Sequence, residues 1–357
     1  MISGDIADSL NRRILAVAED QLHGFHEQPF AAIAERCGLS PDETLERLRA
    51  MLCCGSILRM RQILPSTALT QGCLIGWKLP EEGLDAAFDW LRENDPATGH
   101  IVIRRADDAL APGADYRLWT TLKLPLEADM DAHCRRLAAH IGALDHARMP
   151  VVGMFSLSVG HVRRAGLPVG ALQAEPPRMQ RPPKPDLSAR EISVLRAFRD
   201  PLRPDELQPF PWRGRAQAIG LPEEEFYRLA HGLTEKRALG RFAAVVNHTL
   251  PANPHTGTGR SALLMWAVPP GRVEEAGATC GQHVCMTHCY WRSGAERFGG
   301  VQIMGVVHAP EKEGVLAHKA AIDAALRRRG IPLLHSAAFH TVRAHIRPSR
   351  GESAAGA

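Results

Sequence analysis

At 357 residues the chain exceeds what one hydrophobic core usually organises, because single cores stop growing at about 250–300 residues. Its 45% apolar and 23% charged content excludes a largely disordered chain. The net charge of +4 is modest, and no uninterrupted apolar run approaches the roughly 18–20 residues that cross a bilayer.

The first residues, Met1 to Leu15, carry charge within their apolar stretches, which implies a cytoplasmic location. Eight cysteines, Cys37, Cys53, Cys54, Cys73, Cys134, Cys280, Cys285 and Cys289, are scattered through a large chain and read as reduced thiols. Pro29 to Glu35 puts Phe30, Ile33 and Ala34 on one apolar face, and Gly38 breaks it. Ser40 with Glu43 three residues on makes a capping box that opens a second helix, Pro41 to Leu52. The β-rich segment Ile57 to Ile63 follows as a candidate wing. Then come a strand Cys73 to Leu79, a helix Glu82 to Arg92, strands His100 to Arg104 and Tyr116 to Leu124, a helix Asp129 to Leu144 and a strand from Val151. A β-α-β-β-α-β order predicts a ferredoxin-like module, with two helices on one sheet face and the other face left for pairing or a ligand.

Pro168 to Pro185, with Pro176-Pro177 and Pro182-Pro183, excludes helix and central strand and reads as an extended linker. Beyond it the same order returns. Pro211 to Ala218, Gly220 and Glu223 to Glu235 repeat the helical pair, and Leu239 to Asn247 repeats the wing. Ala262 to Val268, Arg272 to Cys280, Val284 to Trp291, Val301 to Val307, Glu313 to Arg328 and Leu333 onward repeat the α/β module. Particular blocks match as well: Gly76-Trp77-Lys78-Leu79-Pro80 with Met265-Trp266-Ala267-Val268-Pro269, and His100-Ile101-Val102-Ile103-Arg104 with His288-Cys289-Tyr290-Trp291-Arg292. Their spacing widens where the second copy inserts Pro251 to Thr256 and shrinks back by the end. The expected class is therefore α+β, a tandem duplication of a helix-turn-helix module, winged-helix-like, plus a ferredoxin-like module. The segments are 1–64 and 65–167 for copy one, a linker at 168–187, 188–242 and 243–348 for copy two, and a disordered tail at 349–357. The two sheets are expected to face each other as a pseudo-dimer within one chain.

Side chains alternate along a strand, so His288, Tyr290 and Arg292 share one sheet face while Cys289 and Trp291 take the other. That row offers a carboxylate-binding guanidinium beside two proton-moving groups. Arginine pairs at Arg104-Arg105, Arg135-Arg136 and Arg163-Arg164, and the run Arg327-Arg328-Arg329, fit an anionic partner or equally a solvated helix face. Cys280, His283, Cys285, His288 and Cys289 are metal-type residues, but alternation splits them between faces, so no metal site is assigned.

A helix-turn-helix followed by a ferredoxin-like module resembles the Lrp/AsnC family of leucine-responsive regulators. Pro29-Phe30-Ala31-Ala32-Ile33-Ala34-Glu35-Arg36, Gly240-Arg241-Phe242 through Asn247-His248, Thr287-His288-Cys289-Tyr290-Trp291-Arg292 and Val306-Val307-His308 are similar to that family's enzymatic branch, the siroheme decarboxylases in fused two-subunit form. The resemblance implies removal of two acetate carboxyls from siroheme, giving didecarboxysiroheme on the way to heme d1 or heme. It implies catalytic roles for His288, Tyr290 and His248, and substrate binding by Arg241, Arg292, His308, Arg260, His100 and Arg104. It implies siroheme or a related iron tetrapyrrole as partner, allows a homodimer, and implies no cofactor beyond the iron of that substrate, because the macrocycle is itself an electron sink. Copy one carries Val102 where copy two has Tyr290. The rival reading is a regulator that senses a small ligand. DNA is disfavoured as a partner, because the leading turns of the second helices carry Asp42 and Glu43, and Glu223, Glu224 and Glu225, which repel phosphates.

Overall fold

The structure, a computed structural model, describes residues 2–65, 69–157, 160–247 and 259–347. Helices start where the sequence supplies caps. Asp8 accepts from Leu10 and Asn11 N–H to open α1 (Ser9–Ala18), a helix the sequence reading missed, and Gly38 at φ 59° ends α2 (Pro29–Cys37). Ser40 accepts from Glu43 N–H at 3.1 Å to open α3 (Pro41–Cys53), which β1 (Ile57–Gln62) follows. The first α/β module then runs β2 (Thr70–Lys78), α4 (Leu84–Asn94), β3 (Thr98–Ala106), β4 (Tyr116–Pro125), α5 (Met130–Ile141), β5 (Asp145–Met149) and β6 (Val151–Leu157). The one-turn helix α6 (His161–Arg164) leads into the Pro-rich segment.

Copy two repeats the sequence of elements: α7 (Ala189–Ala197), α8 (Arg213–Ala218), α9 (Glu223–Glu235), β7 (Phe242–Val246), β8 (Arg260–Ala267), α10 (Val273–Gln282), β9 (Met286–Arg292), β10 (Ile303–Ala309), α11 (Lys312–Arg328) and β11 (His335–Ile346). α7 was also missed, although Ser188 and Glu191 form a complete capping box at its start.

The copies do not sit side by side as separate units. Antiparallel pairing of β1 with β7, from Ile57 opposite Val246 to Gln62 opposite Phe242, joins the two wings. Ile14, Leu48, Phe198, Trp212, Phe226 and Phe242 then share one core, so the helical modules form a single body. This corrects the boundary at 242/243, which cuts through β7; its pairing carries the helical part on to Asn247.

The strands follow the order β5-β2-β4-β3-β11-β8-β10-β9-β6. Within it, β5-β2-β4-β3 and β11-β8-β10-β9 are two ferredoxin-like sheets. Each copy's last strand crosses to the other copy: Ile346 lies opposite His100 and Leu157 opposite His288. Only Pro150, which has no N–H to donate, separates β5 from β6. The two ends of the strand order are thus one run of chain, and the sheet closes on itself. The two modules do face each other, but as halves of one closed sheet rather than as separate stacked sheets. Val102, Trp119, Met149, Leu263, Met304 and Phe339 fill the inside, while residues of the opposite parity pack beneath the helices, Ile101 and Ile103 in copy one and Cys289 and Ile303 in copy two.

Candidate functional site

The alternation that sorts the core also aims the polar row. Between the helical body and the interior of the closed sheet lies a cavity of about 720 Å³, within the range of small-molecule sites. His288, Tyr290 and Arg292 of β9 line it, and so do His100, Val102 and Arg104 of β3, the matching row of copy one. Arg241 at the entry to β7, Arg260 at the start of β8 and His308 near the end of β10 line it too. The sequence reading therefore brought together residues of one cavity. His248 and the Pro251 to Thr256 insertion lie outside the described residues.

Within the β9 row the imidazole of His288 stacks on Tyr290 at 6.1 Å between ring centroids, and the Arg292 guanidinium carbon lies 4.8 Å from the Tyr290 ring centre. Arg292 is buried and donates to the Met149 carbonyl at 2.6 Å. Arg104, also buried, donates to the Thr341 hydroxyl at 2.9 Å, and Thr341 in turn accepts from Ser261 at 2.8 Å. Arg241 donates to the Leu157 carbonyl at 3.1 Å. Among the described residues none of these three guanidiniums forms an ion pair, and Glu19 is the one carboxylate in the lining. Burial lowers the pKa of Arg104 to about 10 and depresses those of Arg241 and Arg292.

Burial, followed by the charges of Arg241, His161, His100 and Arg164, lowers the pKa of His288 to about 3. Its Nδ1 lies 3.0 Å from the Thr287 hydroxyl, which itself donates to the Val306 carbonyl at 3.0 Å. The hydroxyl oxygen is therefore the acceptor, and the neutral ring carries its proton on Nδ1. Burial pushes the Tyr290 phenol up, against the opposing pull of Arg292, so it stays protonated. The arrangement suits an anion-rich guest that brings its own negative charge to a wall of cations.

Trp119, packed on Phe298 and Phe339 with ring centroids 5.2 Å and 5.6 Å away, forms the cavity's apolar floor. Sequence reasoning missed Trp119, Glu19 and His161. Nothing in the chain announces that Glu19 meets His161, 142 positions away. Cys289 faces the core beneath α10, where strand alternation turns it away from the row that carries His288, and Cys280 packs into the same core from α10 itself.

Residues 255–339 match the AsnC-like ligand binding domain. Over 94% of its length the chain is 24% identical to the siroheme decarboxylase NirDL subunit of Paracoccus pantotrophus, 94% of which it covers. It is 22% identical to the siroheme decarboxylase of Hydrogenobacter thermophilus, across 89% of each chain. The crystal structure of the siroheme decarboxylase NirDL superposes with a TM-score of 0.66 at 19% identity, covering 96% of this chain and 94% of that one. The same enzyme solved in complex with an iron-uroporphyrin III analogue gives a TM-score of 0.65. The similarity to the siroheme decarboxylase subunits, in sequence and in fold, thus runs through both copies of this chain.

Proposed function

We propose that this chain is a siroheme decarboxylase, converting siroheme to didecarboxysiroheme for heme d1 or heme formation. The observation that carries the reading is the trio of buried or half-buried guanidiniums, Arg104, Arg241 and Arg292, turned into one cavity without carboxylate partners among the described residues. A macrocycle edged with carboxylates supplies the missing anions, and its flat apolar body suits the floor built on Trp119.

Loss of one acetate carboxyl as carbon dioxide leaves an electron pair on the methylene carbon, delocalised into the ring, and one proton converts that carbon to a methyl group. Arg292 and Arg104 hold peripheral carboxylates on opposite walls, with Arg241, Arg260 and His308 around the same guest. Substrate carboxylates offset the cationic surroundings of His288 and let its ring take up a proton, which it then hands to the carbon; Tyr290 and His248 are the accompanying groups. The ring system accepts the charge, so no further cofactor enters the scheme. Both copies build this cavity, so one chain replaces a pair of subunits. Eight free cysteines fit a reducing cytoplasm.

Anaerobic incubation with siroheme, followed by mass analysis, tests the proposal. Arg292→Ala removes a charged hydrogen bond of about 1.5–3 kcal/mol and should raise Kd by about 10–100-fold. His288→Ala should bind normally and lose carbon dioxide about 10²–10⁴-fold more slowly. A parent protein that neither binds nor converts siroheme would overturn the assignment.

A further inference from the structure

One histidine of the cavity, His161, comes from no strand at all. α6 is fastened to the end of α1 through two buried acids: Glu19, 2% exposed, accepts from Val162 N–H at 2.9 Å and faces His161 Nδ1 at 3.1 Å. Asp20, equally buried, accepts from Gly160 N–H and from Arg163, both at 2.9 Å. A carboxylate accepts, so the geometry has Nδ1 of His161 donating to Glu19, with Nε2 on the far side of the ring from that carboxylate. His161 lines the cavity, its ring nearly perpendicular to that of His308, with centroids 5.3 Å apart and an interplanar angle of 84°.

Resting on the functional reading above, we propose that His161 is the axial ligand of the tetrapyrrole's iron and that Glu19 sets its ring. Metal-binding histidines characteristically donate their second ring N–H to a carboxylate, which fixes tautomer and orientation and strengthens the donor nitrogen. In this cavity Glu19 is the one lining carboxylate among the described residues, and it holds His161. The other candidates are differently placed. His288 and His100 stand in rows with Arg292 and Arg104, where groups meet the carboxylate-bearing edge of a macrocycle. His161 reaches the cavity from the helical body instead, from the side that a ring face between the two rows would present.

Iron(III) uroporphyrin and metal-free uroporphyrin, titrated into the full chain, separate the possibilities. The parent should bind both and show a nitrogen-ligated iron by electron paramagnetic resonance and resonance Raman spectroscopy. His161→Ala should lose that signature, regain it with added imidazole, and bind the metal-free ring as the parent does. His161→Met, which keeps a side chain of similar reach, should replace it with a sulfur-ligated spectrum. Glu19→Gln should keep the nitrogen ligand, shift the iron–nitrogen stretch to lower frequency and weaken the iron complex by about tenfold. A parent spectrum retained in His161→Ala, or lost in His308→Ala instead, overturns the assignment of His161 while leaving the functional reading intact. A parent that binds neither porphyrin overturns both.

Discussion

His288 shows how far a residue's chemistry depends on what surrounds it. With its pKa lowered to about 3, the ring is neutral near neutral pH while the cavity holds only protein groups, because burial and then the charge of Arg241 disfavour a further cation. A polycarboxylate guest reverses the second effect. The sign follows: raising a pKa from far below the working pH toward it means that protons are taken up on binding. Calorimetric titration of uroporphyrin in buffers of different ionisation enthalpy should therefore show net proton uptake that grows as the pH falls from neutral toward mild acidity. His288→Ala should reduce that uptake. Binding heats independent of buffer in the parent would show that His288 stays neutral in the complex and cannot be the proton source.

At the level of elements, caps and alternation decide most of what forms, and a buried ion pair holds the second helical module together. Arg215 in α8 makes two 2.8 Å bonds to Glu206 and donates to the carbonyls of Ala197, Asp200 and Pro201, with both side chains under a tenth exposed. Glu206→Ala leaves that guanidinium buried without its anion and should destabilise the fold by roughly 3–5 kcal/mol. Burial works to raise the Glu206 pKa, but the Arg215 bonds and the Arg203 N–H outweigh it, so the folded value lies below the ordinary glutamate value. The pair's contribution is then complete above that ordinary value and lost as pH falls through the depressed one. The gap in melting temperature between parent and Glu206→Gln should narrow on acidification, and a gap that widened would contradict the pairing. Most strands were legible because period-two alternation is local, and the first helix pair because the Gly38 and Ser40 signals are, but β5 was missed, since the reading placed copy one's last strand from Val151 onward. α1 and α7 were missed because the reading took the helix pair as the whole module, though Asp8 and Ser188 cap both.

For the whole molecule, the repeat foretold two similar halves and not the way they close. Block matching cannot show that β6 leaves its own sheet to pair with β9, or that the latter half of β11 pairs with β3, since such pairing depends on the other copy. The candidate residues that the structure describes nevertheless line one cavity, because rows on equivalent strands face the same interior once the sheet closes. That geometry makes a quantitative claim about the protein. If each copy held its own ligand, removing Arg104 would abolish one site and leave the other untouched, halving the bound amount at unchanged affinity. With both rows on one cavity, the parent should bind a single macrocycle per chain. Arg104→Ala should keep that stoichiometry while raising Kd by about 10–100-fold, the same order as Arg292→Ala. Fluorescence quenching of uroporphyrin, titrated at protein concentrations well above and then near Kd, reads stoichiometry and affinity separately. Two macrocycles per parent chain, or a halved endpoint in Arg104→Ala, would mean that the copies work as independent sites and that the shared cavity is not where both rows act.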